Sequence, residues 1–457
     1  LFPAASPEAV AAPTDFRVSR DGLLAIIAVL AYAGIQVALF ATHEAWRDEA
    51  QAWLWAKQLS TPWEFFFVPG EGHPPLWFWL LRALSTVLSF DQARLLTLGA
   101  ATLNAWLLAR LLRGNLLLLL AMLGSNILLQ YWGYQFRPYT LVFTTVLCAL
   151  LLDRRGHPIA AAWVLALSCG LHLFSGLLFG FWLLVLLQRH TPLTRLVGPA
   201  LLAAAFGAMA LISGLGNPAA VPKTGLSMLD RLFDILAWPA PPAAPAIPVA
   251  IMVLGTLAYA LRRTPFLLII TGATTAAFAL FGAIIYGASE WHLAYLLMLA
   301  FMALTLAGDK AVMWALPVLL VPQVINGGYL AIQHLTNPQP AETAVYEAVR
   351  ADAGPALDPA TSLFAFPDYA LSASAARHDF TYISAMSGAR MGPVQWRNRG
   401  TLDPALTDTP TPFWLVCMSC RVPLRAIAAA GLTATRLANG IDADGRAIAG
   451  YRIDTGI

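Results

Sequence analysis

Between residues 23 and 330 the chain is a succession of about a dozen apolar runs, separated from one another by short charged or turn-forming stretches. A soluble core has no use for so many long runs in a row. A bilayer does, because a helix needs roughly 20 apolar residues to cross it. With 58% hydrophobic and 12% charged residues and a mean hydropathy of +0.65 over 457 residues, a soluble globular class is excluded and a polytopic α-helical membrane protein is expected. The runs lie at 23–40 and at about 74–90, 93–112, 115–130, 138–152, 158–172, 174–188, 196–215, 245–261, 265–286, 291–307 and 311–330. Some, such as 158–172, fall short of a full span, so about 11 to 13 crossings are expected.

Arg17 and Arg20 precede the first run, which puts the opening segment, residues 1–22, in the cytoplasm and the stretch after the run outside. The chain opens Leu1-Phe2-Pro3, which reads as a processed or trimmed end, and the basic, apolar and Ala-rich order also fits a signal peptide. The runs that follow favour a first transmembrane helix. Arg110 with Arg113, Asp153-Arg154-Arg155, Gln188-Arg189-His190, Arg262-Arg263 and Asp309-Lys310 then mark cytoplasmic loops, and 131–137, the turn near His172, 216–240, 286–292 and everything after about 331 face outward. Two runs between the outward stretch and Arg110 return the chain to the wrong side, so either one of them does not cross or Arg110 and Arg113 break the rule. The expected organisation is a transmembrane domain over 23–336 with an outer loop at 43–73, and an extracytoplasmic domain over 337–457. In the latter, strand-like 362–367 and 413–418 and helical 341–352 and 425–431 suggest a small α/β layer.

The outer loop is too rich for a connector. From His43 to Leu76 it holds five acids (Glu44, Asp48, Glu49, Glu64, Glu71), Arg47, Lys57, two histidines and four tryptophans. The spacing from 46 to 57 predicts a short helix, with Trp46, Ala50, Trp53 and Ala56 near one face and Asp48, Gln51 and Trp55 near another. Such a helix is expected to lie along the membrane surface, its tryptophans at headgroup level and its acids directed into a cavity.

Arg47-Asp48-Glu49-Ala50 after the first run, Gly72-His73-Pro74-Pro75-Leu76 opening the second, and Phe136-Arg137-Pro138-Tyr139 at the start of a later one carry a resemblance. The chain resembles the GT-C glycosyltransferases, in the bacterial branch related to protein O-mannosyltransferases and lipid A aminoarabinose transferases. The likeness covers about residues 20–150 in motif and the remainder in architecture only. It implies transfer of a sugar from a polyprenyl-phosphate carrier to a lipid, polysaccharide or other acceptor at the outer face of a bacterial cytoplasmic membrane. In the family's pattern the first acid of the pair is the catalytic base, here Asp48.

That chemistry needs a carboxylate to take the acceptor's proton and cations to stabilise the departing phosphate. Asp48 is the candidate base; the alternative is that it pairs with Arg47 or Lys57 or caps the short helix. Glu49, about 100° away around a helix, is a second catalytic candidate that binds sugar hydroxyls or stabilises the loop. Arg137 is the first phosphate candidate, because an arginine at the end of an apolar run is costly without an anionic partner. Arg47, Lys57, His73, Lys223, Arg231, Glu290 and His292 complete the substrate-binding candidates, with Lys223 and Arg231 in an outer loop able to act as a lid. Arg82 is expected to pair with Asp91 or Glu71.

No metal ligand set is assigned and no cofactor is required, since a monophosphate leaving group can be neutralised by Arg or Lys. His43, Glu44 and Asp48 offer the competing use as a divalent site. Asp442-Ala443-Asp444 has the DxD spacing but reads as a turn, and Cys417 and Cys420 form a CxxC that is either a disulfide or a strand's small residues. No GxGxxG or Walker pattern and no nucleic-acid signature is present. The expected partners are a polyprenyl-phosphate-linked sugar, a glycan or lipid acceptor and membrane lipid. Competing functions are a pyrophosphate-linked glycan polymerase or ligase, which would use Arg137 and Lys223, and a lipid-linked sugar transporter. Acids gathered at the interface and the lack of an internal repeat favour the enzyme.

Overall fold

The computed structural model describes residues 20–45, 47–59, 61–66, 73–112, 115–214, 226–239, 245–284, 290–336, 342–391, 402–418, 420–441 and 446–456. In lipid the backbone must satisfy its own hydrogen bonds, so apolar runs fold as helices. The chain runs through α1 (Arg20–Thr42), α2 (Arg47–Gln58), α3 (Pro62–Phe66), α4 (Pro75–Ser85), α5 (Phe90–Leu112) and α6 (Leu116–Leu123) to a π-helix at Ile127–Tyr134. It continues through α7 (Tyr139–Arg154), α8 (Pro158–Ser168), α9 (Ser175–Gln188), α10 (Leu193–Gly214), α11 (Leu226–Leu236), α12 (Ala246–Leu261), α13 (Pro265–Ile284), α14 (Glu290–Ala307) and α15 (Asp309–Thr336).

Among the described residues, five helices are long and apolar enough to cross a membrane: α1, α5, α10, α13 and α15. The pair formed by α6 and the π-helix, bent by 60°, makes a sixth if it is one span. The expected 11 to 13 crossings are not reached on this criterion, because several runs end early in turns. Pro158–Ser168, Ser175–Gln188 and Ala246–Leu261 hold only 11, 14 and 16 residues. α14 departs for another reason: from Ala294 to Leu304 every residue is buried, so it is enclosed by protein and its length need not match a bilayer. α4, with 11 residues, rises only about 17 Å, too little to cross.

The expected run over 115–130 and loop over 131–137 become a broken element. α1 donates to carbonyls of the π-helix: Tyr32 Oη to Leu128 O at 2.7 Å, and Gln36 Nε2 to Leu128 O and Leu129 O at 3.3 and 3.2 Å. Gly133 allows this approach, since a Cβ there would collide with the Gln36 amide. Thr140 Oγ1 donates to Trp132 O at 3.0 Å and Asn104 Nδ2 to Thr140 O at 2.9 Å, fixing the turn that leads into α7.

The C-terminal part holds α16 (Glu342–Ala353), α17 (Pro359–Ser362), β1 (Leu363–Phe366), α18 (Ser372–His378), β2 (Tyr382–Ser384), β3 (Arg390–Met391), α19 (Ala405–Asp408), β4 (Phe413–Met418), α20 (Arg421–Ala429), β5 (Leu432–Ile441) and β6 (Ala447–Thr455). One six-stranded sheet results, in the order β3-β2-β1-β4-β6-β5. β1 pairs in parallel with β2 and β4, while β2–β3, β4–β6 and β5–β6 are antiparallel. Cys417 and Cys420 are joined as a disulfide. Residues 442–444 lie outside the described residues.

α2 does not present its tryptophans at a surface as expected. Residues 49–56 are all buried, Trp53 to 2% and Trp55 to 7% exposure. The helix is pressed between α4, with Phe90 and Phe136, on one side and α18 on the other, in one apolar cluster with Tyr346, Val349, Leu363 and Trp414. Its tryptophans are core residues, not headgroup anchors. Around it the two halves are fastened by polar contacts. Arg377 Nε lies 3.1 Å from Asp91 Oδ2, and Lys57 Nζ 2.5 Å from Asp379 Oδ1. The Thr343 N–H donates to Glu44. Arg82, expected to pair with an acid, donates to the carbonyls of Ala56 and Lys57 at 3.3 and 2.7 Å and so closes the C-terminus of α2. Glu342 is buried and accepts the N–H groups of Ala373 and Ser374 at 3.2 and 2.7 Å. Burial, aided by the charge of Glu44, pushes its carboxyl up to about 8 against the pull of those donors.

Candidate active site

Five helices bring polar residues of their first turn, or of the link just before it, to one place. Asp48 is the second residue of α2, His73 precedes α4, Arg137 and Tyr139 bracket the start of α7, His172 precedes α9, and His292 is the third residue of α14. Contacts run continuously through them. Arg137 Nη2 lies 3.9 Å from Asp48 Oδ2 and donates to Tyr139 Oη at 3.4 Å; Tyr139 Oη lies 3.3 Å from His292 Nε2. The His172 ring packs 5.1 Å from Tyr139, 5.4 Å from His292 and 5.4 Å from His73. Unpaired N–H groups and the aligned peptide dipoles make a helix N-terminus favourable for an anion. Here the N–H groups of Leu76 and Phe174 are already donated, to Gly170 O and His172 Nδ1, so an anion would face the Arg137 guanidinium and the rings of His73, His172 and His292.

Asp48 is the carboxylate facing this group. Its side chain is 16% exposed, and it sits between two arginines: Arg47 Nε at 3.2 Å from Oδ1, and Arg137 on the other oxygen. Arg137, 6% exposed, also donates to the Asp48 backbone carbonyl at 2.8 Å, which fixes the first turn of α2 relative to 135–138. Arg47 in turn lies 4.9 Å from the centre of the Tyr369 ring, on the sheet domain.

Glu49 faces the other way. Fully buried, it places Oε2 at 2.8 Å from His43 Nε2 and accepts the Phe136 N–H on Oε1. Arg94, 3% exposed, donates to the His43 carbonyl at 3.1 Å. Burial would push the Glu49 carboxyl up; His43, Arg94 and the Phe136 N–H outweigh it and hold it down to about 2. Its contacts tie α2 to the chain one residue before Arg137.

The remaining expected substrate contacts divide. His73 and His292 stand in the cluster. Lys57 does not: nine positions after Asp48, about 14 Å further along the helix, it pairs with Asp379 of the sheet domain. Arg231 is on α11, which packs on α12 and α13. Glu290 begins α14, but its side chain, like Lys223 as a whole, lies outside the described residues. The alternative divalent site is drawn apart, with His43 on Glu49, Glu44 on the Thr343 N–H and Asp48 on Arg47. Among the described residues no three His, Cys, Asp or Glu side chains converge as a metal set.

The sequence points to no role for Tyr139 or His172, although Tyr139 closes the Phe136–Tyr139 motif. His172 was legible by the argument used for Arg137, being an ionisable residue between two apolar runs.

Neither a family model nor a curated protein matches the sequence. Two crystal structures share its fold. ArnT from Cupriavidus metallidurans in the apo state superposes with a TM-score of 0.52 at 14% identity, over 93% of this chain and 97% of that one. ArnT from the same organism bound to undecaprenyl phosphate gives 0.53 at 14% identity, over 94% and 97%. The GT-C resemblance expected from the motifs therefore holds at the level of fold, across the helical bundle and the sheet domain together.

Proposed function

We propose that this chain is a GT-C glycosyltransferase that moves a sugar from a polyprenyl-phosphate donor to a hydroxyl of a lipid, polysaccharide or other acceptor, at the outer face of the cytoplasmic membrane. The observation that carries the reading is the opposition of one half-buried carboxylate, Asp48, to a cluster of Arg137 and three histidines at the starts of neighbouring helices. The undecaprenyl phosphate held by a protein of the same fold supports a polyprenyl carrier.

In this reading Asp48 accepts the acceptor hydroxyl's proton as its oxygen attacks the anomeric carbon. The bond from that carbon to the phosphate oxygen breaks, and polyprenyl phosphate leaves with the electron pair. Arg137 stabilises the negative charge that grows on the departing phosphate, more strongly in a half-buried site than in water. One carboxylate suffices for a single displacement, so the configuration at the anomeric carbon inverts. Glu49 acts as a positioning residue, and Lys57 is withdrawn from the substrate contacts. The chemistry balances without a divalent ion.

The test is sugar transfer by purified protein with a panel of polyprenyl-phosphate sugars, comparing wild type with an equally folded Asp48→Asn variant. Transfer lost with carrier binding retained is the expected result. Full activity in Asp48→Asn overturns the base assignment. Transfer from pyrophosphate-linked donors alone moves the reading to a polymerase or ligase, and carrier translocation without transfer moves it to a transporter.

A further inference from the structure

Cys417 and Cys420 lie outside the site described above and have a geometry of their own. Cys417 is in β4, an internal strand between β1 and β6, and Cys420 immediately precedes α20. Their bond closes a sequence separation of three, with Cα atoms 5.1 Å apart. A disulfide stabilises a fold chiefly by closing a long loop of the unfolded chain. This one joins a strand end to the helix that follows it anyway, so it holds no distant segments together.

The two sulfurs are unequal. Cys417 is fully buried among Phe364, Leu415 and Ile427, while Cys420 is half-buried at the edge of that cluster. Cys420 is also the N-cap of a nine-residue helix whose ionisable residues, Arg421 and Arg425, are both cationic. A helix N-terminus and neighbouring cations favour a thiolate. The other cysteines, Cys148 on α7 and Cys169 just after α8, belong to the helical bundle and are free thiols.

We propose that Cys417–Cys420 is a thiol–disulfide exchange site, with Cys420 as the sulfur that meets the partner and a dithiol, or its disulfide, as the class of reagent it takes. In the reductive direction a thiolate of the dithiol attacks Cys420 Sγ. The protein S–S bond breaks, and Cys417 leaves as a thiolate that takes up a proton in its apolar surroundings. The second thiolate of the reagent then attacks the reagent sulfur of the mixed disulfide and releases Cys420. Two electrons pass to the protein pair, and the reagent ends as a disulfide. The inference is independent of sugar transfer.

The experiment uses the full chain in detergent, incubated with dithiothreitol, quenched in acid, alkylated after denaturation and mapped by peptide mass. Circular dichroism follows the fold in parallel. Opening of the Cys417–Cys420 bond while the fold is retained is expected. Opening only in denaturant, or no such bond in the oxidised protein, overturns the proposal. A second arm offers oxidised glutathione to Cys417→Ser and Cys420→Ser. The adduct is expected at least about tenfold faster on Cys420 than on Cys417, and equal or reversed rates overturn the assignment of the attacked sulfur. Because the first arm uses the natural chain, a variant that fails to fold does not remove the test.

Discussion

Asp48 and Glu49 are adjacent in sequence yet stand in opposite environments, and the difference can be measured. Asp48→Asn should cost roughly 10²- to 10⁴-fold in transfer rate, the usual contribution of a general base, with a smaller loss of thermal stability than at Glu49, because Arg137 keeps its bond to the backbone carbonyl of residue 48. Glu49→Gln should instead lower stability by about 3–5 kcal/mol, because it leaves His43 and Arg94 without the buried anion they surround; thermal melts of the two variants separate the roles. The pH dependence follows from the same contacts. The folded Glu49 carboxyl is held at about 2 against an ordinary 4.5, so its stabilisation is present above 4.5 and is lost as pH falls from there toward 2. Acid titration of the melting temperature should show that loss in wild type and not in Glu49→Gln. The sequence placed these two carboxylates about 100° apart, but which of them would be buried depends on what packs around α2. That information resides in Phe136, Arg94 and α18, far away in the chain. Arg137, His73 and His292 were legible because a charged or polar group at the end of an apolar run needs a reason to be there. Lys57 stands away from them, and its partner Asp379 could not be read from the sequence, being 322 positions away.

At the scale of elements, α2 is the member whose surroundings decide most. Trp53 packs 5.8 Å from Phe90 and 6.3 Å from Phe136, ring centre to ring centre. Trp53→Ala should therefore cost about 3–5 kcal/mol and disturb transfer by loosening the turn that carries Asp48. Lys57→Ala should change stability by less than about 1 kcal/mol, since its partner Asp379 is 75% exposed, and should leave donor KM unchanged; a raised KM would restore Lys57 to the substrate contacts. α16 contributes the opposite pH signature to α2. The Glu342 carboxyl is raised to about 8 from 4.5, so the folded chain holds that proton more tightly than the unfolded one. Its stabilising effect is complete below 4.5 and declines as pH rises toward 8. Glu342→Gln should flatten the alkaline side of the melting profile, and an unchanged slope would remove this group from the account. Amphipathic spacing in 46–57 was enough to find the α2 helix, and the strand and helix segments after 336 fell where composition suggested. The bend between α6 and the π-helix was not visible, because a π-turn leaves the apolar pattern intact and is stabilised by Tyr32 and Gln36 from another helix.

For the molecule as a whole, the apolar cluster around α2 draws on both halves of the chain. Trp53, Trp77, Phe78, Phe90 and Phe136 of the helical bundle share it with Tyr346, Val349, Leu363, Trp414 and Ile448 of the sheet domain. Neither half can come apart without exposing side chains of the other to solvent. The sheet domain is thus not an appendage, and heat should undo both together: calorimetry of the detergent-solubilised chain should record one endotherm, with loss of sheet and loss of the bundle's tryptophan signal coinciding. A protease that trims the sheet domain would leave a bundle that aggregates, because cutting it away uncovers half of a common interior.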